Sequence, residues 1–263
     1  MKVIILAAGE GTRLRPLTLN NPKCLVELFG KSILQWQIDT FNYFQIKNII
    51  IVKGYLEKKI NFPNITYYIN EKFSTTNMIE TLFSARNEMN ESIIISYGDI
   101  IFEKNVLNKL LTSKSDISLI VDTNWFNYWK QRFKEPLDDA ESLVIDDEGN
   151  ISSIGQKIKK LDQAQAQYIG LMKFQGKGLE QLKSFYDQNK ALSKSGKNPL
   201  NTNLDFNKSY MTDLLQGMIK NGIKIKAIPI KNSWLELDSY NDYLLYSQMY
   251  KNKTLTEFFD VNT

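Results

Sequence analysis

The sequence contains no histidine among its 263 residues. Histidine is the side chain that most often moves protons near neutral pH, and it is also the commonest metal ligand. Its absence excludes serine–histidine triads, histidine general bases and histidine-bound metals. Any catalysis must therefore rely on carboxylates, lysine, arginine, metal ions and the positioning of reactants.

Cysteine is almost absent as well, since Cys24 is the only one. A single cysteine excludes an internal disulfide and a cysteine zinc site. No stretch approaches the run of about 20 apolar residues that spans a bilayer. The apolar N-terminus is too short for a signal peptide and leads directly into glycines. We therefore expect a cytoplasmic protein with no membrane partner.

Charge of one sign is not concentrated anywhere. The formal net charge is +4, and the basic residues are spread along the chain rather than gathered in a patch. This distribution argues against nucleic acid as a partner. Apolar residues make up 43% of the chain and charged residues 24%, which is ordinary for a globular protein. The length is sufficient for one large α/β domain with insertions.

Predicted strands and helices alternate along the chain. Short apolar runs rich in β-branched residues, such as Val3–Leu6 and Ile49–Val52, alternate with segments of helical period such as Lys31–Tyr43. This alternation predicts an α/β fold with a doubly wound, mostly parallel sheet. We expect residues 1–253 to form one domain with a small inserted β-rich lobe at about 123–207. Residues 254–263 are expected to form a loosely held tail.

A glycine-rich loop follows the first strand. Gly9 and Gly11 let the backbone turn tightly and leave no Cβ between its amides and a ligand. Arg13 and Lys23 add cations suited to phosphate oxygens. A purely structural turn would need the glycines but not the two cations. A Walker loop and a dinucleotide fingerprint both fail on spacing, since position 14 is leucine where the latter needs a third glycine. The sequence therefore predicts a phosphate-binding loop of a different type.

Carboxylates occur at two distant positions that could meet this loop. Asp99 directly follows a predicted strand over 92–97, and ligands of open α/β sheets bind beyond the carboxyl ends of the strands. Near the C-terminus, alternation places Trp234, Glu236 and Asp238 on one side of an extended segment. Two structural alternatives stay open: Asp99 as a helix cap or turn residue, and the second segment as a solvated edge strand.

The polar cluster Ser74–Met78 precedes a predicted helix over 77–87. Hydroxyl and amide side chains at such a position satisfy the free N–H groups of the first helical turn. The amide of Asn77 could in addition contact the edge of a pyrimidine base.

The N-terminal motif resembles the signature of nucleotidyltransferases that make NDP-sugars, CDP-choline and CDP-phosphonates. It reads Leu6-Ala7-Ala8-Gly9-Glu10-Gly11-Thr12-Arg13-Leu14, followed by Pro22-Lys23. The resemblance implies a Rossmann-like α/β domain that attaches a nucleoside monophosphate to a phosphorylated acceptor and releases pyrophosphate. The segment Trp234–Asp238 resembles the closing motif of cytidylyltransferases that act on phosphocholine or phosphonates.

The resemblance also implies roles for individual residues. Arg13 and Lys23 would be catalytic, and Mg²⁺ would be held by Asp99 and Asp238, with Glu236 as a weaker third ligand. CTP brings about four negative charges and the acceptor about two more, so cations are required to bring them together. The expected nucleotide-binding residues are Leu6, Ala7, Ala8, Gly9, Gly11, Thr12, Gly54, Thr76, Asn77 and Gly98.

The acceptor site is the least determined part. The resemblance implies that Asp122 and Lys157 face the amine and the phosphonate of the acceptor. Trp125 and Tyr168 could contribute to an aromatic cage for a choline head group, whereas core packing is the alternative for each aromatic residue. Acceptors of the 2-aminoethylphosphonate, phosphocholine or phosphoglutamine type fit the motifs. A sugar-1-phosphate uridylyl- or thymidylyltransferase and a non-catalytic nucleotide-binding regulatory subunit remain alternatives. Homodimer formation is left open.

Overall fold

Strands and helices alternate through residues 1–262, the part of the chain that the computed structural model describes. The strands are β1 (Lys2–Ala7), β2 (Glu27–Leu28), β3 (Lys31–Ser32), β4 (Ile49–Lys53), β5 (Thr66–Ile69), β6 (Ile93–Tyr97), β7 (Ile100–Phe102), β8 (Ile117–Asp122), β9 (Glu141–Ile145), β10 (Ile151–Lys157), β11 (Gln167–Phe174), β12 (Lys226–Ile230) and β13 (Trp234–Glu236). The helices are α1 (Ile33–Tyr43), α2 (Met78–Ser84), α3 (Lys104–Thr112), α4 (Trp125–Arg132), α5 (Gly176–Ser193), α6 (Met211–Lys220) and α7 (Tyr240–Lys251).

A central sheet runs in the order β12-β8-β11-β6-β1-β4-β5. Every neighbouring pair is parallel except the two that involve β11, which is antiparallel to both β6 and β8. The apolar run Val3–Leu6 forms most of β1 and is almost completely buried, as parallel strands covered on both faces require. The expected doubly wound, mostly parallel α/β sheet is confirmed.

Helices cover both faces of this sheet. Val3 and Ile5 of β1 point into one apolar cluster, which also holds the apolar sides of α1, α3 and α4. Ile4 and Leu6 point into a second cluster with the apolar sides of α2, α5 and α6. Because side chains alternate along a strand, one short segment contributes to both cores.

The inserted part is smaller than expected. β11 lies within the range expected for the inserted lobe, yet it is a member of the central sheet between β6 and β8. Helix α4 begins at Trp125, and the separate β-structure within the expected range is the two-stranded β9–β10 hairpin. The partner strands of β11 are remote in sequence, and the periodicity of the sequence does not identify them.

The C-terminal segment is not loosely held. Leu255, Phe258 and Phe259 are buried in the same apolar cluster as α1. Phe259 meets the ring of Trp36 edge-on with 5.8 Å between ring centroids. The expectation for residues 254–262 was therefore wrong, because three apolar side chains fix the segment to the core; Thr263 lies outside the described residues. Among these residues no helix has both the length and the apolar character needed to cross a bilayer.

Candidate active site

A cleft of about 360 Å³ lies beyond the carboxyl ends of the central strands β1 and β6. It is bounded by the loop after β1, the turn after β6, the start of α2 and the segment that follows β13. The lining residues are Leu6, Ala7, Ala8, Gly9, Gly11, Thr12, Arg13, Lys23, Cys24, Phe73, Thr76, Asn77, Met78, Thr81, Tyr97, Gly98, Asp99, Glu236 and Asp238.

The loop after β1 presents free backbone amides to this cleft. Two of its carbonyls are engaged, since Ala8 accepts from the N–H of Tyr55 at 3.0 Å and Thr18 Oγ1 donates to the carbonyl of Gly11 at 2.7 Å. In the described part of the chain the N–H groups of Gly9, Gly11 and Thr12 have no protein acceptor. Converging amides without partners form a site for anions.

Gly11 and Lys23 pack directly against each other. Gly11 has a φ of +62°, in the left-handed region, and a Cβ there would lie 2.9 Å from Lys23 Cβ. Glycine is therefore required twice, for the backbone conformation and for the lysine stem that crosses it. The close approach directs the Lys23 ammonium towards the two carboxylates.

Lys23 joins the two carboxylates that lie far apart in the sequence. Its Nζ lies 2.8 Å from Asp99 Oδ2 and 2.8 Å from Asp238 Oδ1. Burial alone would lower the pKa of Lys23, but these carboxylates raise it above its usual value. Burial tends to raise the pKa of Asp238, but Lys23 and Arg13, whose guanidinium contacts the other Asp238 oxygen, lower it. The loop cations and the carboxylates thus form one charged cluster.

One oxygen of Asp99 is left without a partner. Oδ2 accepts from Lys23, whereas Oδ1 is buried and receives no hydrogen bond. A buried carboxylate oxygen without a partner is costly, and a cation would satisfy it. Over residues 1–262 no three acidic or thiol side chains form a ready-made metal cage. Two carboxylates beside a phosphate-binding loop nevertheless fit Mg²⁺, which usually takes one or two protein carboxylates and completes its shell with phosphates and water.

A strand pairing and three hydrogen bonds fix the backbone of the segments that carry the two carboxylates. β7 pairs with β13 in antiparallel register, and the Leu237 N–H donates to the carbonyl of Asp99 at 2.9 Å. On the other side, Gln37 Nε2 donates to the carbonyls of Tyr97 and Ile100 at 2.8 Å each. A Cβ on Gly98 would lie 2.6 Å from the carbonyl oxygen of Leu6, so only glycine allows this close approach.

At the far end of the cleft, Asn77 caps α2. Its Oδ1 accepts from the Met78 N–H at 2.8 Å, and its Nδ2 donates weakly to the carbonyl of Lys208 at 3.3 Å. Thr76 also lines the cleft and donates to the carbonyl of Lys72. The capping role expected for Asn77 is therefore present, and its side chain also borders the cavity.

Residues 3–140 match the family model described as the MobA-like NTP transferase domain. The chain belongs to this family. The expectation of a nucleotidyltransferase, drawn from the N-terminal motif, is thereby confirmed.

Two relatives of this nucleotidyltransferase match over nearly their whole length. The CTP:phosphoglutamine cytidylyltransferase of Campylobacter jejuni is 36% identical over 92% of this chain and 97% of its own. The choline-phosphate cytidylyltransferase of Streptococcus pneumoniae is 29% identical over 96% of this chain and 100% of its own. A solved structure of the CTP:phosphocholine cytidylyltransferase from S. pneumoniae superposes with a TM-score of 0.70 at 26% identity, covering 95% of this chain and 98% of the other.

The residues expected to contact the acceptor do not line the cleft of the nucleotidyltransferase. Asp122 is fully buried, and its carboxylate accepts hydrogen bonds from Trp234 Nε1 and from two backbone N–H groups. Burial raises the pKa of Asp122 against the effect of these three donors. Trp125 is 2% exposed and donates to the carbonyl of Ala164. Both side chains are buried away from the cleft. For Trp125 this is the core packing given as its alternative, whereas no such alternative was considered for Asp122.

The other outlying residues lie near the cleft or on the surface. Lys157 is exposed at the end of β10, and Tyr168 packs edge-on against the cleft residue Tyr97 with 5.7 Å between ring centroids.

Gly54 is not at the cleft surface: a Cβ there would lie 2.6 Å from the carbonyl oxygen of Ala8, so its role is close packing beneath the loop. Glu236 borders the cleft but pairs with Arg132 at 2.7 Å. Burial raises the pKa of Glu236 despite this arginine.

Several residues that line the cleft could not be identified as binding residues from the sequence. Phe73, Met78 and Thr81 line the cavity near Asn77, and Cys24 follows Lys23 into its floor. Arg132 was missed because it lies in a segment without clear periodicity, where one charged side chain does not stand out from the exposed lysines around it.

Proposed function

We propose that the chain transfers CMP from CTP to a small phosphorylated or phosphonate acceptor and releases pyrophosphate, with Mg²⁺ bound at Asp99 and Asp238. The observation that carries this proposal is the meeting of free loop amides, two cations and two carboxylates in one cleft. The preference for CTP is supported by the names of the two relatives that match over nearly their whole length. The first of them makes phosphoglutamine the acceptor to try before phosphocholine and 2-aminoethylphosphonate.

In the proposed reaction an oxygen of the acceptor phosphate attacks the α-phosphorus of CTP. The bond from the α-phosphorus to the oxygen bridging to the β-phosphate breaks, and the electron pair leaves with pyrophosphate. The attacking oxygen is already ionised near neutral pH, so no protein base is needed. This agrees with the absence of histidine, and catalysis depends on alignment and on charge stabilisation.

The residues of the cleft divide this work between them. The amides of Gly9, Gly11 and Thr12 and the guanidinium of Arg13 would bind the phosphates that leave as pyrophosphate. Lys23 would stabilise charge that develops at the α-phosphate. A divalent cation at Asp99 and Asp238 would supply further charge neutralisation and fix the orientation of the triphosphate.

Acceptor selectivity would depend on the cleft wall beyond Tyr97. Among the residues expected to contact the acceptor, Tyr168 is supported by its ring contact with Tyr97, which lines the cavity. Lys157, the exposed last residue of β10, does not line the cavity and would act on an acceptor only if the acceptor extends beyond it. These two assignments replace the original set of four.

The test is a matrix of nucleotides and acceptors. Purified protein with Mg²⁺ is incubated with CTP, UTP or dTTP and with phosphoglutamine, phosphocholine, 2-aminoethylphosphonate or a sugar-1-phosphate, and pyrophosphate release and product mass are recorded. We expect turnover with CTP and at least one of the first three acceptors, and a loss of turnover in Asp99→Asn. Turnover restricted to a sugar-1-phosphate with UTP or dTTP would support the uridylyl- or thymidylyltransferase instead. No turnover in any combination would support a non-catalytic nucleotide-binding protein.

A further inference from the structure

Helix α4 places an arginine directly behind the carboxylate segment of the cleft. The Arg132 side chain is 0% exposed. Its Nη1 donates to Glu236 Oε2 at 2.7 Å, and its Nε and Nη2 donate to the two oxygens of Asp242 at 2.9 and 3.2 Å. The planar guanidinium therefore spans two acidic side chains that flank Asp238 in the sequence.

Asp242 links Arg132 to the backbone of Asp238, the proposed metal ligand. Its Oδ2 accepts from the Asp238 N–H at 3.1 Å and from the Ser239 N–H at 2.8 Å. Ser239 in turn caps α7, because its Oγ accepts from the Asp242 N–H. A continuous path of hydrogen bonds therefore runs from Arg132 through Asp242 to Asp238, whose carboxylate faces the cleft.

A pair of tyrosines fixes the other end of the same segment. Tyr128 lies one turn before Arg132 on α4, and its hydroxyl accepts from the Glu236 N–H at 3.0 Å. Tyr246 of α7 donates to the Glu236 carbonyl at 2.8 Å, and the two hydroxyls are 2.5 Å apart. Both backbone groups of Glu236 are thus held from behind, by the same two helices.

A buried guanidinium at this position is not explained by stability. Because of desolvation, a buried ion pair often stabilises a protein no more than well-packed apolar residues of similar volume do. The surroundings would suit such residues, since the Arg132 guanidinium lies 5.0 to 5.4 Å from the ring centroids of Tyr128, Trp129 and Phe133. What the ionic network does provide is a fixed direction for each group it contacts.

We propose that Arg132 is a positioning residue, which sets the place of Asp238 through Asp242 and through Glu236. Arg132 itself touches neither the cleft nor a substrate. The inference rests on the proposed function, because it gives Asp238 the role of holding a divalent cation beside the nucleotide. Partners that orient metal ligands from behind have effects of about 10- to 100-fold on metal affinity or activity in other proteins.

The experiment measures Mn²⁺ binding to the full-length protein in the presence of saturating CTP and without acceptor, by electron paramagnetic resonance. Arg132→Lys keeps the charge but loses the planar fork, which a single ammonium cannot replace at two carboxylates. We expect about 10- to 100-fold weaker Mn²⁺ binding in this variant. A purely structural role would lower the melting temperature but leave the Mn²⁺ affinity of the folded fraction unchanged.

Two further variants make the result decisive. Arg86→Lys is the matched control, since Arg86 forms a two-bond pair with Asp187 at 2.8 and 2.6 Å on the surface, and its Mn²⁺ affinity should equal that of the wild type.

If Arg132→Lys does not fold, Asp242→Asn replaces it, because an amide can keep the bonds to Asp238 and Ser239 but turns a donor towards Arg132. Wild-type affinity in a folded Arg132→Lys, or in Asp242→Asn where it is needed, overturns the inference alone. Failure of the wild type to bind Mn²⁺ with CTP overturns the proposed function and the inference with it.

Discussion

At the scale of single residues, Lys23 is the counter-ion that the two carboxylates of the cleft share. Its ammonium contacts both Asp99 and Asp238. Lys23→Met keeps the length of the side chain and removes the charge, so kcat/KM should fall by about 10²- to 10³-fold, as when one preorganised donor to a transition state is lost. Mn²⁺ without nucleotide should bind more tightly to this variant, because the two carboxylates lose their internal counter-ion. Initial rates and Mn²⁺ titrations measure the two effects.

A matched control for Lys23→Met is Lys2→Met. The Lys2 ammonium lies 2.8 Å from Glu88, and its side chain is 16% exposed against 14% for Lys23. The control thus removes a comparable ion pair far from the cleft and should leave both measurements unchanged. Rates within a few-fold of wild type in Lys23→Met would show that the lysine does not act on the nucleotide.

The buried thiol of Cys24 makes the stability of the fold depend on pH, and a comparison with Cys24→Ala measures this contribution. Burial raises the pKa of this thiol from 9.0 to about 12. The unfolded chain therefore loses the proton above pH 9 while the folded protein keeps it, so stability falls as pH rises, by about 1.4 kcal/mol per pH unit in this window. Urea unfolding of wild type and Cys24→Ala should give a stability difference that shifts by about 1.6 kcal/mol against wild type between pH 9 and 10.5. A difference that stays constant over this range would contradict the burial effect.

At the scale of secondary-structure elements, the start of α2 has two separable roles. Asn77 caps the helix through Oδ1, and its amide also borders the cleft. Asn77→Asp keeps the cap, because aspartate is an equally good capping residue, but it loses the amide N–H₂ that could contact a base. Its stability should stay within about 0.5 kcal/mol of wild type, while the KM for CTP should rise at least tenfold, as expected for the loss of one specific hydrogen bond.

Asn77→Ala serves as the companion variant. It removes both functions, so it should lose about 1 kcal/mol of stability in addition to the rise in KM. Equal KM values for CTP in wild type and Asn77→Asp would reduce Asn77 to a capping residue. Chemical unfolding and initial-rate kinetics on the same preparations separate the two contributions.

Elements that depend on local interactions could be predicted from the sequence, whereas elements that depend on contacts between remote residues could not. The glycine loop and the strand ends could be placed from the sequence, because tight turns and buried strands leave local patterns. Helix α4 could not, since its buried face consists of Trp125, Tyr128 and Trp129 among charged residues and its role depends on contacts with α7. The surroundings of Asp122 could not be predicted for a related reason: Trp234, which is remote in sequence, donates to its carboxylate and covers it.

At the scale of the whole molecule, the cleft exists because the chain returns to its first half. β13 pairs with β7 and brings Asp238 to Asp99. The C-terminal segment then packs behind this pairing, where Phe258 lies 5.6 Å from Tyr128 in ring-centroid distance. Tyr128 is also the residue that holds the backbone of Glu236. The last described residues therefore support the site through one aromatic contact.

Phe258→Ala tests whether this segment belongs to the cooperative core. Phe258 is 2% exposed, and truncating a buried phenylalanine costs about 3 to 5 kcal/mol, which lowers the melting temperature by on the order of 10 °C in a domain of this size. Tyr43→Ala, at a ring that is 60% exposed, should cost less than about 1 kcal/mol. Because Phe258 contacts Tyr128, the folded Phe258→Ala protein should also bind Mn²⁺ with CTP less tightly than Tyr43→Ala does. A variant with the melting temperature of wild type would mean that the C-terminal segment, although buried, is not part of the unit that unfolds and holds the site.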